Sequence, residues 1–179
     1  VKLKIPIITF YVFSTENWKR PKSEINFLFQ LIINYFKEEL NKVISNGIKV
    51  NIIGKLNRLP KKITVVLKDV TKKTKKNKRI IVNLAINYGS RDEIVDAFKK
   101  VKNKINIKSL SKGLYTKNMA NPDILIRTGG HKRLSNFMLW QLAYTEIYFV
   151  DKLWPDFNGK DFEKITNNFK KVKRNFGSI

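Results

Sequence analysis

The chain has 179 residues, 42% of them hydrophobic, with eight Gly, five Pro and no Cys. That suits one folded domain and excludes disulfide frameworks, thiolate metal sites and Cys nucleophiles. Its 37 basic residues against 14 acidic give a net charge of +23, but Lys dominates beside abundant Ile and Asn, residues that share AT-rich codons, so most of that charge reads as solvated surface.

Residues 5–13, IPIITFYVF, form the near-continuous apolar run of a strand covered on both faces, as in a parallel sheet. The chain then turns polar through STENWKR, and Pro21 opens a helix predicted over 23–44 with Gly47 as its terminator. Eight of the ten residues from Phe27 to Phe36 are apolar, more than a one-sided stripe needs. Such a helix must be buried all round, pack on a partner subunit or line an apolar cavity. Gln30 and Asn34 interrupt it, and it falls far short of the ~20 residues of a bilayer span.

GIKVNIIG (47–54) predicts a second strand, 60–73 an amphipathic helix with Ile63, Val66, Leu67 and Val70 on one face, and RIIVNLAIN (79–87) a third strand. Gly89 makes a turn, and Ser90 with Glu93 has the spacing of a capping box opening a helix to about residue 102. Residues 103–118 are polar and read as connector. A short strand at 123–127, a Gly-containing loop, an apolar helix at 135–144, a strand at EIYFV and a closing helix with Phe162, Ile165, Phe169 and Val172 inward complete the chain. The alternation predicts an α/β fold, a mostly parallel central sheet with helices on both faces, in a single domain.

Ligands of open α/β sheets collect beyond the carboxyl ends of strands, so the loops after strands carry the chemistry. Against the lysine background the seven arginines (Arg20, Arg58, Arg79, Arg91, Arg127, Arg133 and Arg174) are the informative cations. A planar guanidinium grips two oxygens at once, which an ammonium does not. Ser14-Thr15-Glu16-Asn17-Trp18-Lys19-Arg20 packs hydroxyls, an acid, an amide, an indole and a guanidinium into one loop. The loop from Arg127 to Asn136 sets two Arg and a Lys around Gly129-Gly130, with Ser135 at a predicted helix start. Free backbone N–H groups, a helix dipole and forked cations are what a diphosphate requires. His131 is the only His; Glu146, heading a strand, is a hard oxygen donor suited to Mg²⁺ beside phosphates or, equally, to a rim ion pair with Lys. Walker A, dinucleotide Gly-rich and zinc-ligand spacings are absent.

TFYVFSTENWKRP, NYGSRDEI and PDILIRTGGHKRLSNFMLWQLAYTEIYFVDKLWPDF, in this order and with the closing RNFG, resemble the cis-prenyltransferases. The resemblance implies an enzyme that condenses isopentenyl diphosphate in cis onto an allylic diphosphate such as farnesyl diphosphate. It would be a Mg²⁺-dependent homodimer making a polyprenyl carrier such as undecaprenyl diphosphate for cell-wall assembly. It implies a cytoplasmic location, with a lipid product and basic surface leaving room for peripheral membrane contact.

By the same resemblance Asn17 falls where the proton acceptor is placed, though a neutral amide is a weak base and is expected to relay or orient. Ser14, Thr15, Glu16, Trp18 and Arg20 match substrate-loop positions; Arg127, Arg133, Leu134 and Ser135 match positions that hold isopentenyl diphosphate; Glu146 matches a metal ligand. The greasy helix would wall the tunnel for the growing hydrocarbon. Two departures stand out. The family's opening strand and its Asp loop have no counterpart, so the expectation is a domain over 1–179 truncated at its N-terminus, with little turnover alone. Where the family commonly reads TGGEHR this chain reads TGGHKR, which puts metal binding by His131 or Lys132 in doubt. Two other readings stand beside this one: a non-catalytic partner subunit of such an enzyme, and, from the net charge, a basic nucleic-acid binder.

Overall fold

The computed structural model describes residues 3–102 and 104–175. Its contacts divide the chain into two compact units, 1–117 and 118–179.

In the first unit, strands β1 (Ile7–Ser14), β2 (Ile48–Ile53) and β3 (Ile80–Tyr88) form a parallel sheet in the order β1-β3-β2. Apolar, largely β-branched runs make these strands, as expected of a covered parallel sheet. Helix α1 (Lys22–Ser45) begins after Pro21 and ends before Gly47, whose φ of +68° a side chain would resist. Helix α2 (Lys61–Thr74) follows β2. Both pack on the sheet around Phe13, Phe29, Ile33, Phe36, Val50, Leu67 and Ile86. The pairing of β1 with β3 slips between Tyr11 and Phe13 and again before Ser14. Such an irregularity re-aims side chains at a strand end, and it stands where the polar loop begins.

Helix α1 has two apolar faces with different fates. Ile25, Phe29, Ile33 and Phe36 are buried, whereas Phe27, Leu31 and Tyr35 are 62%, 48% and 54% exposed. The helix is therefore not buried all round; its second stripe, at i, i+4 and i+8, is left uncovered within the unit.

Helix α3 (Ser90–Lys100) departs from expectation at its start. Gly89, not Ser90, occupies the cap position, and Glu93 is fully buried. It accepts the Tyr88 hydroxyl at 2.5 Å and the Tyr115 backbone N–H at 2.8 Å. A buried carboxylate needs strong donors, and these two supply them. The connector contains a five-residue helix, α4 (Ile107–Ser111), capped by Asn106.

In the second unit, β4 (Ile124–Arg127) and β5 (Glu146–Phe149) pair in parallel. Helix α5 (Gly159–Phe169) is capped by Asn158, which accepts from the N–H groups of Lys160 and Asp161. Ile165 is buried and Phe162 and Phe169 are half-buried, as the pattern predicts, while Val172 lies beyond the helix end. Arg174 closes the unit with an ion pair to Asp123 at 2.5 Å and a bond to the Tyr144 carbonyl at 2.9 Å. The rest of RNFG, residues 176–177, falls outside the described residues.

The predicted helix over 135–144 is not a helix. Those residues are turns and bends, and Ser135, Asn136 and Met138 hold φ values of +49°, +61° and +45°. Left-handed backbone at three positions in four cannot continue a right-handed helix. The apolar content that suggested a helix serves burial instead, through Phe137, Met138 and Leu142.

Candidate active site

The loop after β1 is folded as a 3-10 turn over Thr15–Lys19. Asn17 is half-buried, and its Oδ1 accepts the Ser14 backbone N–H at 2.8 Å. This leaves the Nδ2 amide without a partner among the described residues. Thr15 donates to Glu16 at 3.2 Å, and Arg20 pairs with Glu24 at 2.7 Å on the exposed start of α1. Trp18 stacks edge-on against Phe13 and Phe29, with centroids at 5.2 and 5.8 Å, and donates its indole N–H to Asn87 Oδ1 at 2.7 Å. Behind the loop, burial and then the Glu16 charge push the Tyr11 phenol up, so it stays protonated and donates to the Tyr88 carbonyl at 3.3 Å. The structure thus brings Ser14, Thr15, Glu16, Asn17 and Trp18 together at one strand end, with Arg20 turned toward the helix.

Three contributors escaped the sequence reading: Lys55, Asn87 and Asp96. Lys55 Nζ sits 3.2 Å from Asp92 and 3.1 Å from Asp96, and Asp96 also accepts the Tyr115 hydroxyl at 2.7 Å. Burial pushes the Asp96 carboxyl up, but the Tyr115 hydroxyl and the Lys55 ammonium outweigh it and hold it below the usual carboxylate range. The only signal for Asn87 was its place, an Asn at a strand end ahead of a Gly.

In the second unit, Arg127 ends β4 and reaches across its own loop. Its Nη1 donates to the Arg133 carbonyl and, at 2.8 Å, to Ser135 Oγ. Its Nε is buried with no partner among the described residues. Burial, and then the Arg133 charge, hold the guanidinium's pKa below its ordinary value. Two cations close enough to repel, beside a hydroxyl, are stable together when an anion joins them. The loop glycines act differently from expectation. Gly129 and Gly130 hold φ of +89° and +71°, and their N–H groups donate to the carbonyls of Lys152 at 2.8 Å and Val150 at 3.1 Å. They are consumed by the strand end, and with no helix at residue 135 there is no dipole either. What the loop offers an anion is side chains, not backbone N–H groups or a helix dipole.

His131, Lys132 and Arg133 are exposed, and Leu134 is half-buried. Glu146 heads β5 opposite Ile124, at the other end of the strand pair from Arg127. Among the described residues it enters no ion pair, despite the excess of Lys. A half-buried, unpaired carboxylate is a fitting donor for a cation that takes its remaining oxygens from a substrate. No group of three or more His, Asp or Glu able to hold a metal occurs among the described residues.

Residues 1–177 match the family model described as "Putative undecaprenyl diphosphate synthase". The chain belongs to this prenyltransferase family. An isoprenyl transferase of Rickettsia typhi is 44% identical over 181 residues, covering 99% of this chain and 80% of that protein. Its counterpart in Aquifex aeolicus is 41% identical, covering all of this chain and 79% of its own. A probable undecaprenyl diphosphate synthase from Campylobacter jejuni superposes with a TM-score of 0.90 at 41% identity, over 97% of this chain and 84% of that one. Lavandulyl diphosphate synthase from Lavandula x intermedia, solved with dimethylallyl diphosphate, gives 0.94 at 30% identity over 99% and 81%. Family membership bears out the α/β architecture with its parallel strands, and makes prenyl transfer the chemistry against which both loops are to be understood.

Proposed function

We propose that the chain elongates an allylic diphosphate by cis addition of isopentenyl diphosphate, giving a polyprenyl diphosphate. The observation that carries the reading is the Arg127–Arg133 cation pair with the Ser135 hydroxyl beside it, in a chain of this family. In the reaction the allylic C–O bond breaks and diphosphate leaves with the electron pair. The isopentenyl double bond attacks that carbon, and a proton leaves the carbon beside the new cation. Arg127 and Arg133 hold the isopentenyl diphosphate, Ser135 adds a hydroxyl, and Leu134 packs beside it. The Ser14–Arg20 loop receives the allylic partner. Asn17 presents its Nδ2 amide while Oδ1 is tied to Ser14, an arrangement suited to orienting a diphosphate oxygen or an acceptor water better than to abstracting a proton. Glu146 is the residue that would hold Mg²⁺ with substrate oxygens, and the ion would neutralise charge on the departing diphosphate. The uncovered Phe27, Leu31 and Tyr35 stripe supplies apolar wall for the hydrocarbon.

A farnesyl-length acceptor, an undecaprenyl-type product for cell-wall assembly, a homodimer and peripheral membrane contact all belong to this proposal. So does a single catalytic domain over 1–179. Incubation with radiolabelled isopentenyl diphosphate, farnesyl diphosphate and Mg²⁺ is expected to give label in butanol-soluble polyprenyl products, at the low turnover expected of this chain alone. Condensation in trans, or label transfer that survives replacement of both Arg127 and Arg133 by Ala, would overturn it.

A further inference from the structure

We infer that Asn87 is the positioning residue for the Trp18 indole, and through it for the loop that receives the allylic diphosphate; this rests on the function proposed above. Asn87, the last residue but one of β3, is 1% exposed and has a left-handed φ of +49°. Its two amide atoms face opposite ways. Oδ1 accepts the indole N–H of Trp18 at 2.7 Å, and Nδ2 donates to the Lys55 carbonyl at 2.8 Å. Its own carbonyl accepts the Lys55 N–H at 3.2 Å. One side chain therefore ties together the carboxyl ends of all three parallel strands: Trp18 after β1, Lys55 after β2, and itself on β3.

The chemistry leaves the amide one orientation. An indole nitrogen only donates and a backbone carbonyl only accepts, so a flipped amide would lose both bonds. The close approach is built into the backbone as well: Gly54 has a φ of +126°, and a Cβ there would lie 2.1 Å from the Ile86 carbonyl oxygen. Phe13 and Phe29 hold the indole's ring edge-on, but aromatic edges leave rotation about the ring's long axis soft. The Asn87 bond removes that freedom. Trp18 is nonetheless 38% exposed, so the fixed indole presents a face outward from the loop.

The test uses Asn87→Gly, which deletes the amide at a backbone position Gly accepts without strain, and Asn87→Asp, read at a pH where the buried acid is protonated, which then keeps both an acceptor for the indole and a donor for the Lys55 carbonyl and tolerates the same φ. The Trp18 indole ¹H–¹⁵N resonance, assigned by Trp18→Phe, is expected to move upfield in Asn87→Gly and to stay near its place in Asn87→Asp. KM for the allylic diphosphate is expected to rise about tenfold in Asn87→Gly, the effect of one lost hydrogen bond, with kcat within about threefold. Asn87→Asp is expected to restore most of that loss. The Trp18→Phe and Asn87→Gly effects on KM are expected to be non-additive in the double variant. An indole resonance unmoved by Asn87→Gly, or losses that multiply in the double variant, would overturn the inference. A chain that never condenses prenyl diphosphates would instead remove the functional reading, while the resonance still decides whether Asn87 holds the indole.

Discussion

Arg127 Nη1 serves both a carbonyl and a hydroxyl of its own loop, while Nε is buried with no partner among the described residues. Replacing it with Lys preserves the charge and removes the fork. Arg127→Lys is expected to raise KM for isopentenyl diphosphate at least about tenfold, as read from steady-state kinetics at saturating allylic substrate. Gly54 makes a sharper steric prediction. A Cβ at 2.1 Å from a main-chain oxygen cannot be accommodated by side-chain movement. Gly54→Ala should therefore cost at least about 2 kcal/mol, a fall of roughly 4–8 °C in unfolding midpoint. Gly159→Ala, with nothing within 4 Å of the added carbon, is the matched control and should leave the midpoint nearly unchanged.

At the scale of elements, α1 has a buried face and an exposed one, and substitutions on the two should act differently. Ile33, buried at 7% exposure, should lose about 2–5 kcal/mol on Ile33→Ala by cavity formation. Leu31→Ser, on the exposed stripe, should unfold near the parent temperature while shifting the product-length distribution, measured by thin-layer chromatography. Helix α3 is fastened through Asp96, whose carboxyl lies below its ordinary range. A depressed carboxylate contributes stability above its unfolded pKa of ~3.9 and loses it as pH falls toward the folded value. The melting difference between parent and Asp96→Asn should accordingly be full at pH 6 and shrink below about pH 4.

What was legible in the sequence follows from which signals are local. The strands of the first unit and α1, α2 and α5 declared themselves because apolar periodicity reports burial directly. The 135–144 segment misled for the same reason: Phe137, Met138 and Leu142 are buried, but by a turn chain whose left-handed residues leave no periodic mark. Glu93 had capping-box spacing, yet the donors that claimed it, Tyr88 and Tyr115, lie on different segments. Of the candidate site, residue types and loop positions could be read. The pairing of Arg127 with Ser135 could not, because it follows the left-handed turns of its own loop, and the consumption of the Gly129 and Gly130 N–H groups and the role of Asn87 could not, because they depend on chain brought back from elsewhere.

For the molecule as a whole, a net charge of +23 invites binding to any polyanion. If that charge is solvated surface, DNA retention should vanish between about 50 and 200 mM salt without sequence preference, as read by filter binding. Retention at the higher salt would return weight to nucleic-acid recognition. The strand order has its own consequence. β1 pairs with β3, Ile7 opposite Ile81, and never with β2. During synthesis β1 and the oily helix after it therefore lack their β3 partner until residues in the eighties leave the ribosome. A translation pause placed just before β3 should thus lower the soluble yield more than one placed after it.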